Sequence, residues 1–181
     1  MSVLIRTVVD DDLAAIGALH RRSRRAAYAG LVSAAALAAG SDEAMAEWWT
    51  ERWRWERDTH RLAVAEVARA VAGFSYVGPS ETSGAVELYA IHVDPAQVGT
   101  GIGRALMISA LQDLAEVAAA PDAQSPAADR AVLWVLTGNA TARRFYANGG
   151  WVADGGRREA PIGPELVTQL RYARPLPFSP R

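Results

Sequence analysis

Between Val86 and Ala118 the sequence passes from a β-branched, aromatic run through three alternating glycines straight into a helical pattern. The joint reads Val93-Asp94-Pro95-Ala96-Gln97-Val98-Gly99-Thr100-Gly101-Ile102-Gly103-Arg104. Glycine permits positive φ and lets backbone come close to a ligand. The first N–H groups of a helix have no internal partner and lie at the positive end of its dipole. A strand, a glycine turn and a helix in immediate succession therefore make an anion site out of main chain, with phosphate the natural occupant. With 181 residues, half of them apolar, the chain can bury a core around this unit in one α/β domain.

The surroundings sort the phosphate turns that a glycine run could form. A P-loop ends in Gly-Lys-Ser/Thr, which is absent here. A dinucleotide turn follows an early strand and is answered by an acidic residue roughly 20 positions on. Here the turn follows four strand-like runs, and the corresponding downstream region is rich in Pro and Ala. The formal charge of −1 gives no electrostatic footprint for nucleic acid, so anion binding must be local. No cysteine is present, which excludes disulfides, thiolate nucleophiles and Cys-type zinc sites. His20, His60 and His92 lack metal-ligand spacing and read as surface or packing residues, so no metal is expected.

Val3 to Val8 reads as a first strand. Asp10, Asp11 and Asp12 then supply cap and first-turn charge for a helix in which Leu13, Ile16, Leu19, Ser23 and Ala27 recur at three- and four-residue steps. A short alanine-rich helix stops near Gly40. Ser41 opens another, with Met45, Trp48, Trp49, Trp53 and Trp55 on a broad apolar face. These indoles either pack on the sheet or line a pocket, where each would keep an N–H donor. Strand patterns follow at Leu62 to Val67, Val71 to Val77 and Val86 to Val93. After the glycines, Leu106 or Met107 with Leu111, Leu114 and Ala118 mark a long helix. Ala119 to Asp129 reads as a flexible surface loop. Val132 to Leu136 suits a central strand. Asn139 to Asn148 is a short helix stopped by Gly149-Gly150, and Trp151-Val152 and Leu166 to Tyr172 open and supply the last two strands. The reading is one domain over 1–174 and a loose proline-rich tail over 175–181. The N-terminus lacks the basic start and long apolar run of a secretory signal, and no run of about 18 apolar residues could span a membrane. A soluble cytoplasmic protein is expected, with neither nucleic acid nor membrane as partner.

Two motifs in this order resemble the GNAT N-acetyltransferase family. Its central signature is Arg/Gln-x-x-Gly-x-Gly/Ala after a strand ending hydrophobic-x-Val-x-Pro, matched by Gly101-Ile102-Gly103 after Ile91-His92-Val93-Asp94-Pro95. Its second motif is an Asn, a helix bearing Ala and Phe-Tyr, then Gly-aromatic, matched by Asn139, Ala142, Phe145-Tyr146 and Gly150-Trp151. The resemblance spans roughly Val3 to Tyr172. One position departs: Val98 stands where the family has Arg or Gln, with Gln97 just before it.

The resemblance implies a mixed, mostly antiparallel central sheet flanked by helices on both faces, and acetyl transfer from acetyl-CoA to a primary amine in a ternary complex. It places the cofactor on Ile91, His92 and Val93, on Gln97, Val98, Gly99, Thr100, Gly101, Ile102, Gly103 and Arg104, and on Asn139, Ala142 and Tyr146. Tyr146, seven residues after Asn139, matches the tyrosine that protonates coenzyme A sulfur. Glu87 is the candidate base, as a period-2 strand puts it on the face of Tyr89, Ile91 and Val93; His92, on the opposite face, is the second candidate. The acceptor site would draw on Tyr28, Trp48, Trp49, Trp53 and Glu87, with Glu43, Glu47 and Glu51 to attract a cation. The acceptor is a small-molecule or peptide amine, unspecified by the sequence. An exposed last strand, Leu166 to Tyr172, would offer a homodimer edge. Two other readings stand beside the enzyme: a non-catalytic acyl-CoA sensor of the same fold, and a nucleotide-binding module.

Overall fold

The structure is a computed structural model that describes residues 2–120 and 128–178. Its elements are β1 (Leu4–Thr7), α1 (Leu13–Tyr28), α2 (Ala34–Ala38), α3 (Asp42–Glu56), β2 (Arg61–Val67), β3 (Ala70–Pro79), β4 (Ala85–Val93), α4 (Ile102–Ala119), β5 (Arg130–Leu136), α5 (Ala140–Asn148), β6 (Val152–Ile162) and β7 (Glu165–Pro175). The seven strands form one sheet in the order β1-β2-β3-β4-β5-β7-β6. Every pair is antiparallel except β4 with β5. The mixed, mostly antiparallel sheet expected from the sequence is present.

Helices cover both faces. On one, α1 and α3 bury Leu13, Ile16, Leu19 and Trp49 against Leu62, Val64, Phe74 and Tyr76. On the other, α4 sets Ile102 and Leu106 against Ala65, Val67 and Ala72, and Met107, Ala110 and Leu114 against Val86, Leu88 and Leu133. β2 and β5 are apolar along nearly their whole length because both of their faces are covered.

The tryptophan-rich face of α3 is narrower than its sequence implies. Trp49 is 1% exposed and Trp53 packs beside it, whereas Trp48 and Trp55 are 46% and 73% exposed. Gly17 explains the narrowness: a Cβ there would stand 2.6 Å from the Ala46 nitrogen, so α1 and α3 touch backbone to backbone along one thin stripe.

The last strand is not an edge. β7 lies between β5 and β6, because the β6–β7 hairpin folds outward and β6 takes the outer position. The homodimer edge expected at Leu166 to Tyr172 is therefore already paired. Residues 175–178 of the expected loose tail are held to the fold. Pro175 ends β7, the Leu176 N–H donates to the Asp129 carbonyl (2.8 Å), and Leu176 and Phe178 pack on the core. Residues 179–181 of that tail, and 121–127 of the expected flexible loop, lie outside the described residues.

Candidate active site

β4 and β5 run in register only from Ala85–Arg130 to Leu88–Leu133. Beyond that point β4 stays with β3 as far as Val93, and β5 stays with β7 as far as Leu136. Tyr89 to Val93 therefore has no ladder partner on the β5 side. The parting coincides with a β-bulge: Val77 pairs with Leu88 and Tyr76 with Ala90, leaving Tyr89 as the extra residue. A bulge bends its strand and increases local twist, which opens a gap between two otherwise parallel neighbours.

The bulge also corrects the expected sidedness of β4. One inserted residue inverts the alternation beyond it. Leu88, Ile91 and Val93 face α4, while Glu87, Ala90 and His92 face the α1–α3 side. Glu87 thus does not share a face with Ile91 and Val93, and His92 lies on the side of Glu87 rather than opposite it.

At the end of β4 the chain turns through Gly99 (φ +86°) and Gly101 (φ +93°) into α4. Ser33, Ser41 and Asn139 each cap their helix with a side-chain oxygen, but no side chain caps α4. Ala105 is the first residue of α4 whose amide finds a carbonyl, that of Gly101 (3.0 Å). The amides of Ile102, Gly103 and Arg104 are left for an external acceptor, and a Cβ on Gly99 or Gly101 would meet nothing within 4 Å. Such a nest beside an open strand edge fits a diphosphate joined to an extended arm. Val98 is 68% exposed, and the Gln97 carbonyl takes the Thr100 hydroxyl (2.7 Å), which stiffens the turn.

α5 begins at the end of β5, across the gap. Asn139 caps it by accepting the Ala142 N–H (3.0 Å). Its C-terminus closes with Gly150 N–H on the Ala147 carbonyl and Trp151 N–H on the Tyr146 carbonyl (3.0 and 3.1 Å), the paired bonds of a Schellman stop. The Phe145 ring sits about 3.5 Å from where a Gly103 side chain would start, so this glycine lets α5 close on the start of α4. The Tyr146 hydroxyl has no hydrogen-bond partner among the described residues. Burial, with the nearby Tyr28, pushes its pKa well above the usual tyrosine range, so it stays protonated at neutral pH.

On the other face of β4 lies a cavity of about 250 Å³ that brings together Tyr28, Trp48, Trp49 and Glu87. Glu87 is 4% exposed and accepts the Ser80 hydroxyl (2.8 Å). Burial raises its pKa, partly offset by that hydrogen bond and by Arg158. His92 packs face to face with Phe74 and lies 4.5 Å from the His20 ring. Burial takes its pKa down to about 3, so it is neutral, with its Nδ1 3.0 Å from the Ser23 hydroxyl. The Trp49 indole donates to His20 Nδ1 (3.1 Å), which puts the His20 proton on Nε2.

Other expectations for this pocket do not hold. Trp53 packs in the core. Glu47 and Glu51 line a separate groove with Asp10 and Asp11, and Glu43 is exposed. Besides Glu87, the charges that line the cavity are arginines that the sequence reading passed over: Arg24, Arg52 and Arg158. Arg52 is held over Trp48, Tyr76 and Tyr89 at 5.2, 4.9 and 5.1 Å and bonds Glu56 (2.7 Å), which also accepts the Tyr76 hydroxyl. The stacking of Arg52 on Tyr76 and Tyr89, and of Arg158 on Trp134, left no sequence signal, because each of these pairs spans two elements.

A parted β4/β5 pair, an uncapped helix at its mouth and a tyrosine across the gap define an acyl-CoA-binding transferase fold. The family model described as "Acetyltransferase (GNAT) domain" matches residues 58–153, more than half of the chain. The chain belongs to the GNAT acetyltransferase family, whose cofactor is acetyl-CoA. Solved structures agree on the fold. PaiA N-acetyltransferase from Thermoplasma acidophilum, in complex with coenzyme A, is 17% identical with a TM-score of 0.74, over 97% of this chain and 99% of that one. Ribosomal-protein-alanine N-acetyltransferase from Brucella melitensis is 21% identical with a TM-score of 0.68, over 96% and 99%. YncA from Salmonella typhimurium, with its cofactor acetyl-CoA, is 18% identical with a TM-score of 0.68, over 100% and 98%. No curated protein matches the chain significantly. Among the described residues there is no cluster that could hold a metal, and no helix long and apolar enough to cross a membrane.

Proposed function

We propose that this acetyltransferase passes an acetyl group directly to a primary amine in a ternary complex, with the amine entering from the α1–α3 side of β4. The observation that carries the reading is the geometry of β4. Its open edge beyond Leu88 is reached from one face by the α4 amides and from the other by the cavity holding Glu87. Acetyl-CoA, when bound, supplies an activated thioester.

The residues divide the remaining work. The amides of Ile102, Gly103 and Arg104 hold the diphosphate. The unpaired edge of Ile91 to Val93 takes the extended arm as a further strand would, and one of its N–H groups steadies the acetyl oxygen, a donor worth on the order of 3 kcal/mol. An aliphatic amine has a pKa of roughly 10.4 in water and is mostly protonated. Glu87 accepts that surplus proton, directly or through water; its raised pKa makes it a better base than an ordinary carboxylate. Tyr146, protonated and without a competing partner, donates to the departing sulfur. His92, with a pKa of about 3, is too weak a base for the task and acts as a wall. Orientation of the two reactants contributes about 7–11 kcal/mol at most.

Thermal shifts with acetyl-CoA, NAD and ATP, followed by an amine panel read by free coenzyme A, test the assignment. Stabilisation by acetyl-CoA alone with thiol release is expected. Stabilisation without release from any amine would instead make the chain a sensor. Tyr146→Phe is expected to lower kcat about a hundredfold with the KM for acetyl-CoA nearly unchanged; unchanged turnover removes Tyr146 as the acid.

A further inference from the structure

The charges around the acceptor cavity are unevenly matched: three arginines line it against one carboxylate, Glu87. Arg52 is neutralised by Glu56. Arg158 bonds Gln169 (2.8 Å), lies 4.4 Å over Trp134, and is close enough to Glu87 for each to feel the other's charge. Arg24 is different. Its neighbours on α1, Arg21 and Arg22, pair with Asp42 and Asp94, each at 2.7 Å. Arg24 is half-buried, 5.7 Å from the Tyr28 ring centre, and no carboxylate pairs with it among the described residues. The groups that its charge reaches are His20, His92 and Tyr28, all neutral at pH 7. The diphosphate cradle cannot explain this charge, because no residue of 97–104 lines the cavity.

Resting on the acetyl-transfer reading above, we propose that the acceptor is a small amine carrying its own carboxylate, an amino acid or similar aminocarboxylate. Its carboxylate pairs with Arg24 and its amino group is presented to Glu87. A guanidinium fork matches a carboxylate with two parallel N–H bonds, and a half-buried cation without a partner gains most from such a ligand. A cavity of about 250 Å³ suits a molecule of this size. A polyamine is disfavoured, since Arg24 and Arg158 would repel its additional positive charge.

The test uses the full chain with saturating acetyl-CoA and reads free coenzyme A for the twenty amino acids and their decarboxylated counterparts, with spermidine added. For at least one pair the acid is expected to exceed its amine in kcat/KM by about tenfold to a hundredfold, the range of a charge-assisted hydrogen bond. Arg24→Gln should collapse that ratio toward one through KM for the acid, and Arg24→Lys should restore part of it. Stabilisation of both variants by acetyl-CoA serves as the control for folding. A preference for decarboxylated amines or spermidine, no acid acetylated at all, or a ratio unmoved by Arg24→Gln in a folded protein overturns the proposal. In those cases turnover of any other amine still stands for the acetyl-transfer reading, whereas acetyl-CoA stabilisation with no amine turned over, or no stabilisation at all, removes that reading itself.

Discussion

The two sides of β4 are built from different material. The α4 side offers peptide amides: Ile102, Gly103 and Arg104 present N–H groups, while the side chain at the family's Arg/Gln position is an exposed valine, Val98. The α1–α3 side offers side chains drawn from α1, α3, β3, β4, β5 and the β6–β7 hairpin. A main-chain cradle tolerates sequence change provided its dihedrals survive, so one cofactor can be kept while acceptors diverge. A side-chain cavity changes its ligand with each substitution.

Substitutions can break or sharpen this contrast. The largest expected effect lies under the acceptor wall: Trp49, fully buried among Phe74, Tyr76 and His20, should cost about 3–5 kcal/mol when replaced by Ala, read from the urea midpoint at constant m. A cost below about 1 kcal/mol would mean that the cavity hangs loosely on the core. Next, Glu87→Gln should lower kcat about a hundredfold and remove the acidic limb of kcat/KM, which in the parent falls above the ordinary carboxylate range. Stability should move the other way. Because burial raises the Glu87 pKa, the folded chain holds that proton more tightly than the unfolded one. Stability therefore declines as pH rises through the interval between the two pKa values, and Gln removes the decline. A Tm at neutral pH that falls in Glu87→Gln would contradict this.

On the cofactor side, Gly101→Val forces a β-branched residue to φ +93°. It should raise the KM for acetyl-CoA about tenfold, matching a left-handed cost of roughly 1–2 kcal/mol. The smallest effect belongs to Gln97→Ala, expected to change that KM by less than about threefold. A larger shift for Gln97 than for Gly101 would show that a side chain, not the amides, carries the phosphate.

The same contrast decides what could be read from sequence. The glycine turn and the stretch from Asn139 to Trp151 were legible because each is local: strand end, turn and helix start are adjacent in the chain, and so are cap, tyrosine and glycine stop. Strands and helices emerged from periodicity for the same reason. The sidedness of β4 was not legible, because the bulge at Tyr89 is a property of its pairing with Tyr76 and Val77 rather than of β4 itself. Arg52 and Arg158 resembled ordinary surface charge, as Tyr76, Tyr89 and Trp134 lie on other elements, and Arg24 resembled its paired neighbours Arg21 and Arg22. Glu43, Glu47 and Glu51 looked suited to a cationic ligand only until α3 was seen to turn them away from the cavity. The outward fold of β6 was likewise invisible, since a hairpin can add to a sheet by either of its strands.

The bulge also makes β4 a partition one peptide thick. Ile91 and Val93 pack on the core beneath α4, whereas Ala90 and His92 line the cavity. Two molecules on opposite sides of such a screen can touch only around its free margin. On the proposed reading an acceptor meets the thioester end-on, leading with its amino group, while the rest of it stays in the cavity on the α1–α3 side.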